Sequence, residues 1–87
     1  MEKAGMEAGL NPDTASSLAI QTCLGAAKMA AASEDSVAEL RRKVTSPNGT
    51  TDAAIKTMIK GDVPKWVGNG VLAADKKSKE LAKELGN

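Results

Sequence analysis

Residues 11–32 read NPDTASSLAIQTCLGAAKMAAA, and this stretch predicts one long helix. Asn11 is a favourable N-cap residue, Pro12 suits the first helical position, and Asp13 complements the positive end of the helix dipole. Most residues after this start are apolar, and the clearly polar ones are Ser16, Ser17, Gln21 and Lys28. A helix that is apolar on most sides is buried by more than one neighbour, so we expect some neighbours to come from a second copy of the chain.

Helix signals also mark four segments outside this stretch. They are Glu2–Ala8, which ends at Gly9; a segment from Ser36 to before Pro47; a segment around Ala54–Ile59, which ends at Gly61; and the segment after Asp62. Ser36 and Glu39 form a capping-box pattern, and Asp62 is predicted to cap the last helix, with Pro64 in its first turn. The alternation typical of strands is absent. The sequence therefore predicts an all-α fold, a small bundle of about four to five helices in one domain over residues 1–87.

The composition predicts a core that is weak for a chain standing alone. Ala accounts for 15 residues, Leu, Ile and Val together for 15, and Trp66 is the only aromatic residue. A chain of this size buries only about 60–65% of its unfolded surface, and small chains commonly complete a weak core by oligomerising. We therefore expect the helices to interleave with a second copy as a homodimer, and Trp66 to fill a contact between helices or subunits.

The last predicted helix carries a narrow apolar seam. Its members follow at alternating steps of four and three residues: Val67, Val71, Ala74, Ser78, Leu81 and Leu85. This spacing is typical of a coiled-coil contact, although it extends over less than three heptads. Gly68 and Gly70 each lower helix propensity by about 1 kcal/mol relative to Ala, so we expect them to mark the close approach of another helix.

Charge, histidine and cysteine content exclude several classes of function. The net charge is +1 and no basic stripe with interleaved aromatics appears, so nucleic acid is not an expected partner. No apolar run is long enough to cross a membrane. The chain has no His, so neither a zinc site nor a Ser–His–Asp triad is expected. Cys23 has no second Cys to pair with, which favours a reducing cytoplasm, and it is interpreted as a small buried hydrophobe.

The segment that could carry chemistry is residues 44–52, VTSPNGTTD. Pro47 suits a tight turn, and Asn48 and Gly49 tolerate a positive φ. The absence of a Cβ at Gly49 would also let a ligand approach the backbone closely.

A helix is predicted to begin directly after this turn, at Thr50 or Thr51. Its unpaired N–H groups, its dipole and two adjacent hydroxyls would suit a carboxylate or a phosphate. Turn and capping chemistry explains the same residues without any ligand, and Asp52 adds a negative charge that disfavours an anion. The residues alone therefore leave a structural turn and an anion site both open.

Three stretches of the chain carry a pattern with consistent spacing. They are Gly9-Leu10, then Ala19-Ile20-Gln21-Thr22-x-Leu24-Gly25-Ala26-Ala27, then Leu40-x-x-x-Val44-Thr45-Ser46-Pro47-Asn48-Gly49-Thr50-Thr51-x-x-Ala54-Ile55-x-x-Met58. This pattern resembles the C-terminal dimerisation and substrate-loop domain of pyrroline-5-carboxylate reductases over nearly the whole chain. Many members of the family have Gly where this chain has Asn48, and Asn keeps the option of a positive φ.

The resemblance implies an oxidoreductase activity for a longer protein. In the family, NADPH or NADH reduces the C=N bond of pyrroline-5-carboxylate to give L-proline. The cofactor lies on an N-terminal Rossmann domain, which is absent from this chain, and the C-terminal helices form a dimer that sometimes assembles further. The resemblance therefore implies a fragment that is inactive alone and that binds no NADP or NAD itself.

The resemblance also implies roles for the loop residues. The backbone N–H groups of Gly49, Thr50 and Thr51 would bind the substrate carboxylate, and Ser46 would line the site. The hydroxyl of Thr51 would lie near the substrate nitrogen, which makes Thr51 the candidate catalytic residue.

Two other interpretations stay open beside the reductase. The chain could be a free-standing helical homodimer with a structural loop, or a small protein that binds an anion with residues 47–52 unaided. Glu2–Ala8 carries no start signal, which favours a fragment that begins inside a longer helix. Residues 68–73 match the nucleotide-binding pattern G-x-G-x-x-A, but no strand precedes them, so helix packing is the expected role.

Overall fold

The computed structural model describes residues 1–86, and within them the chain forms helices and no strand. The helices are α1 (Glu2–Glu7), α2 (Pro12–Ala32), α3 (Val37–Val44), α4 (Thr50–Lys60) and α5 (Val63–Leu85). The all-α prediction and the number of helices are confirmed. The chain divides into two compact units, Met1–Val44 and Thr45–Asn87, and a single domain over residues 1–87 remains a prediction.

In the first unit, α1 and α2 meet at a tight corner. Gly9 has φ of 106°, a left-handed conformation that favours glycine. Its N–H donates to the carbonyl of Met6, and the Leu10 N–H donates to the carbonyl of Gly5, which is the hydrogen-bond pattern of a Schellman C-cap. The corner places Gly5 against Ala15 of α2, where an added Cβ would lie 3.3 Å from the Ala15 Cβ.

The predicted start of α2 is confirmed in its details. The Asn11 side chain accepts a hydrogen bond from the Thr14 N–H at 2.8 Å, and Pro12 is the first residue of the helix. The helix ends at Ala32, as the sequence predicts.

The capping box of α3 forms only in part. The Ser36 hydroxyl accepts from the Glu39 N–H at 3.1 Å, as predicted. The Glu39 carboxylate does not complete the box, because it accepts from Nε of Arg42 at 3.0 Å. A charge-assisted bond to a guanidinium is stronger than a neutral bond to a backbone N–H, which accounts for the difference.

In the second unit, α4 packs against α5, and a turn at Gly61 and Asp62 connects the two helices. Asp62 is the N-cap of α5, but its side chain accepts no capping hydrogen bond, so its predicted capping chemistry is wrong. Its backbone adopts the left-handed conformation with φ of 57°, which directs the chain from one helix into the next. Asp tolerates this conformation better than most residues.

Few side chains are buried within the chain. Ala15 is the only apolar residue of the described chain that is fully buried, and Trp66 is 64% exposed. The interpretation of Cys23 as a buried residue is wrong for the chain alone, because its thiol is exposed. All six residues of the α5 seam are also exposed.

The exposed area is larger than a self-contained fold of this mass requires. The chain of 8.9 kDa exposes 7311 Å². The scaling of globular proteins gives about 4,800 Å² for one compact chain of this mass and about 5,800 Å² for two separate compact bodies of half the mass. The excess is therefore present whichever of the two references applies. No helix of residues 1–86 is long and apolar enough to cross a membrane.

Candidate functional site

The loop that precedes α4 is a tight turn with a left-handed residue. The N–H of Gly49 donates to the carbonyl of Ser46 at 3.0 Å and closes the turn. Asn48 has φ of 62°, so the predicted tolerance for positive φ is used at this position. Ser46, Pro47 and Asn48 are all exposed, and the turn leads directly into the first residue of α4.

Gly49 is required for a different reason than the sequence suggests. Its φ is −87°, which is an ordinary value, so its tolerance for a positive φ is not used in this turn. A Cβ on Gly49 would lie 3.1 Å from the carbonyl oxygen of Ser46 and 3.5 Å from the Ser46 Cβ. This contact is tighter than most Cβ atoms make, so a larger side chain at this position would require the turn to shift by a few tenths of an ångström.

Two N–H donors of the predicted anion site make no hydrogen bond to the described part of the chain. Within residues 1–86, the N–H groups of Thr50 and Thr51 have no acceptor, as expected for the first turn of a helix. Both residues are exposed. The Gly49 N–H is already bonded to Ser46 in this conformation, so its role as a third donor remains a prediction. The positive end of the α4 dipole favours an anion at this position.

Asp52 ties the turn to the helix, a contact that sequence reasoning missed. Its carboxylate accepts from the Asn48 N–H at 3.0 Å and from Nζ of Lys56 at 2.9 Å. The Asp52 side chain is 17% exposed. We call these two contacts the Asp52 bridge. The local signal for it is an acidic residue in the first helical turn with a Lys four residues later, which is a favourable pair on a helix.

The Asp52 bridge holds the pKa of the Asp52 carboxyl below its usual range. The hydrogen bond from Lys56 has the largest effect, and the hydrogen bond from the Asn48 N–H adds to it. Both contacts stabilise the ionised form, whereas desolvation opposes them. Asp52 therefore carries the negative charge that the sequence indicates, but the Lys56 ammonium group pairs with it.

Acidification should weaken the Asp52 bridge, mainly by removing the charge that pairs with Lys56. Because the pKa of Asp52 is lower in the folded chain than in the unfolded one, the bridge stabilises the fold fully above about pH 4, and the contribution is lost as pH falls through the folded value. We expect the NMR signal of the Asn48 amide to move with the lowered Asp52 titration. This movement should vanish in Asp52→Asn, and a midpoint at the ordinary value for Asp would contradict the bridge.

The remaining candidate residues are the glycine pattern of α5 and Cys23. Residues 68–73 lie inside the continuous helix α5, so the glycine pattern lacks the strand and turn that a nucleotide-binding motif requires, and these residues do not fit a nicotinamide cofactor. Cys23 contacts the sulfur of Met1 at 3.9 Å. Among residues 1–86, no three His, Cys, Asp or Glu side chains lie close enough together to hold a metal ion.

Comparisons with known proteins identify relatives for almost the whole chain. A family model described as pyrroline-5-carboxylate reductase dimerisation matches residues 1–81. The chain is 52% identical over 86 residues to a pyrroline-5-carboxylate reductase of Pseudomonas aeruginosa. It is 47% identical over 78 residues to the enzyme of that name from Pisum sativum, and 38% identical over 85 residues to pyrroline-5-carboxylate reductase 1 of Bacillus subtilis.

The alignments cover almost all of this chain but only a part of each relative. The alignments include 99%, 90% and 98% of this chain but only 32%, 29% and 29% of the respective relatives. The chain thus spans about a third of the length of the proteins it matches. Together with the family match, these identities mean that the chain belongs to the pyrroline-5-carboxylate reductase dimerisation family.

Proposed function

We propose that this chain is the self-association and substrate-loop domain of an NAD(P)H-dependent pyrroline-5-carboxylate reductase. The observation that carries the proposal is the unoccupied pair of N–H groups on Thr50 and Thr51, at the start of α4, in a chain of this family. The substrate has a carboxylate, and a helix start with free N–H groups binds carboxylates well. The lone Cys23 supports a cytoplasmic location.

In this proposal the loop binds the substrate by its carboxylate. The N–H groups of Thr50 and Thr51 donate to the two carboxylate oxygens, and Ser46 lines the site. A nucleotide-binding domain outside these residues would hold the cofactor, and the chemistry supplied by the bound cofactor would be a hydride for the carbon of the C=N bond. The electron pair of that bond then moves to the ring nitrogen, where the Thr51 hydroxyl donates a hydrogen bond and a proton is taken up.

We also propose that two copies of the chain associate. The exposed seam of α5 and the exposed apolar residues of α2, among them Leu18 at 50% and Ile20 at 62%, supply the contact surface. Burying apolar surface is the main driving force for such association. The seam spacing favours a helix from the second copy as the occupant.

The reductase activity is tested with the intact protein, pyrroline-5-carboxylate and NADPH or NADH. We expect cofactor oxidation that depends on the substrate, and Thr51→Ala should lower kcat by roughly 10- to 100-fold through loss of one hydrogen-bond donor. Thr57→Ala is the matched control, because its hydroxyl donates to the Ala53 carbonyl within the same helix. Absence of activity in the unmodified protein would refute the function, whereas equal rates for the two variants would refute the role of Thr51.

A further inference from the structure

We propose that Asp52 is a positioning residue for substrate binding, which acts by accepting the Asn48 N–H. The inference rests on the proposed function, because the bound ligand is the carboxylate of that substrate. It assigns to Asp52 a role that the free N–H groups of Thr50 and Thr51 cannot fulfil alone, namely to hold the turn against the helix.

The backbone of the turn needs a contact that holds it in place. Asn48 is left-handed, a conformation that costs a non-glycine residue free energy unless its surroundings hold it. The bond from Gly49 to Ser46 closes the turn but does not connect it to α4. The bond from the Asn48 N–H to Asp52, at 3.0 Å, makes that connection. It therefore limits how far the turn can swing across the free N–H groups.

The charge of Asp52 is balanced by Lys56. A bare carboxylate close to an anion site would repel the substrate, yet Asp52 lies in the first turn of α4. Nζ of Lys56, 2.9 Å away, pairs with it and reduces this repulsion. The useful property of Asp52 is then its acceptor oxygen and not its charge. A neutral side chain with an oxygen at the same position should serve equally well.

This reasoning gives a matched pair of variants in the intact protein. Asp52→Ala and Asp52→Asn remove the same charge, but only Asp52→Ala removes the acceptor. We expect Asp52→Ala to raise KM for pyrroline-5-carboxylate about tenfold, because the binding-competent turn becomes a minor population. Its kcat and its KM for NADPH should change less than threefold. Asp52→Asn should keep KM within about twofold of the unmodified protein, or lower it, since Lys56 is then unpaired.

The outcomes separate this role from a merely structural one. A variant that only folds less well has fewer active molecules, which lowers kcat and leaves KM unchanged. Equal KM values for the two variants, or a loss confined to kcat, would overturn the role of Asp52 while the reductase function stands. An unmodified protein without activity would overturn both. If Asp52→Ala is insoluble, amide hydrogen exchange of residues 45–52 is measured in Asp52→Asn and in the unmodified protein. We expect similar exchange rates, because Asn keeps the acceptor oxygen, and faster exchange in Asp52→Asn would contradict the inference.

Discussion

Replacing Gly49 with valine in the intact protein should lower kcat/KM for pyrroline-5-carboxylate by about 100-fold or more. The added Cβ would lie 3.1 Å from the carbonyl oxygen of Ser46, and that oxygen is held by the Gly49 N–H itself. The turn must open to make room, which displaces the N–H groups of Thr50 and Thr51. A displacement of about 1 Å in a binding group is enough to cost two orders of magnitude in rate.

The control for this variant is Gly61→Val at the other end of α4. A Cβ on Gly61 meets its nearest atom, the carbonyl oxygen of Thr57, at 3.6 Å, which is an ordinary contact. Gly61 also has an ordinary φ of −86°. We expect its kcat/KM to stay within about threefold of the unmodified protein. Full activity in Gly49→Val would mean that the turn does not position the substrate.

Replacing Val71 with glutamate should weaken self-association by at least about 100-fold. Val71 is the second residue of the α5 seam and is 64% exposed in the single chain. If a second copy covers the seam, the glutamate becomes a buried charge without a partner. An uncompensated buried charge costs about 3–5 kcal/mol. Light scattering over a range of protein concentrations would measure the change in dissociation constant.

Lys76→Glu is the matched control on the same helix. Lys76 is exposed and lies on the side of α5 opposite the seam, since a step of five positions from Val71 rotates by about 140° around the helix. It changes the net charge by more than Val71→Glu does, so a general effect of charge would weaken both variants. We expect the dissociation constant of Lys76→Glu to change less than threefold. If both variants associate as tightly as the unmodified chain, α5 does not form the interface through its seam.

Local sequence signals predicted the helix boundaries well. Each correct boundary depends on residues within three or four positions of one another, so a short stretch of sequence is enough to predict it. The examples are the Asn11 cap, the Ser36 cap and the turn before Thr50. The sequence was not sufficient where a side chain had two possible partners or where either of two neighbouring residues could adopt the same backbone conformation. Glu39 had both a backbone N–H and Arg42 within reach, and the sequence did not specify that Asn48 alone, of Asn48 and Gly49, would adopt a positive φ.

The candidate site was predictable as a location but not in its internal contacts. Residues 44–52 have the composition of a turn that ends at a helix start, and the family pattern pointed to the same residues. The Asp52 bridge depends on the direction of one side chain, which the sequence does not specify. Asp52 was therefore interpreted only as an unfavourable charge, whereas the fold gives it Asn48 and Lys56 as partners.

The weak core was predicted from composition, and it leaves apolar surface that a second copy of the chain can cover. A chain in which Ala15 is the only fully buried apolar residue of the described part, and which exposes 7311 Å², has apolar surface left for a partner. Sedimentation equilibrium of the 87-residue chain tests this most directly. We expect a dimer or a larger species at micromolar concentration. A folded, stable monomer would contradict the account, because the exposed faces of α2 and α5 would then need no second copy.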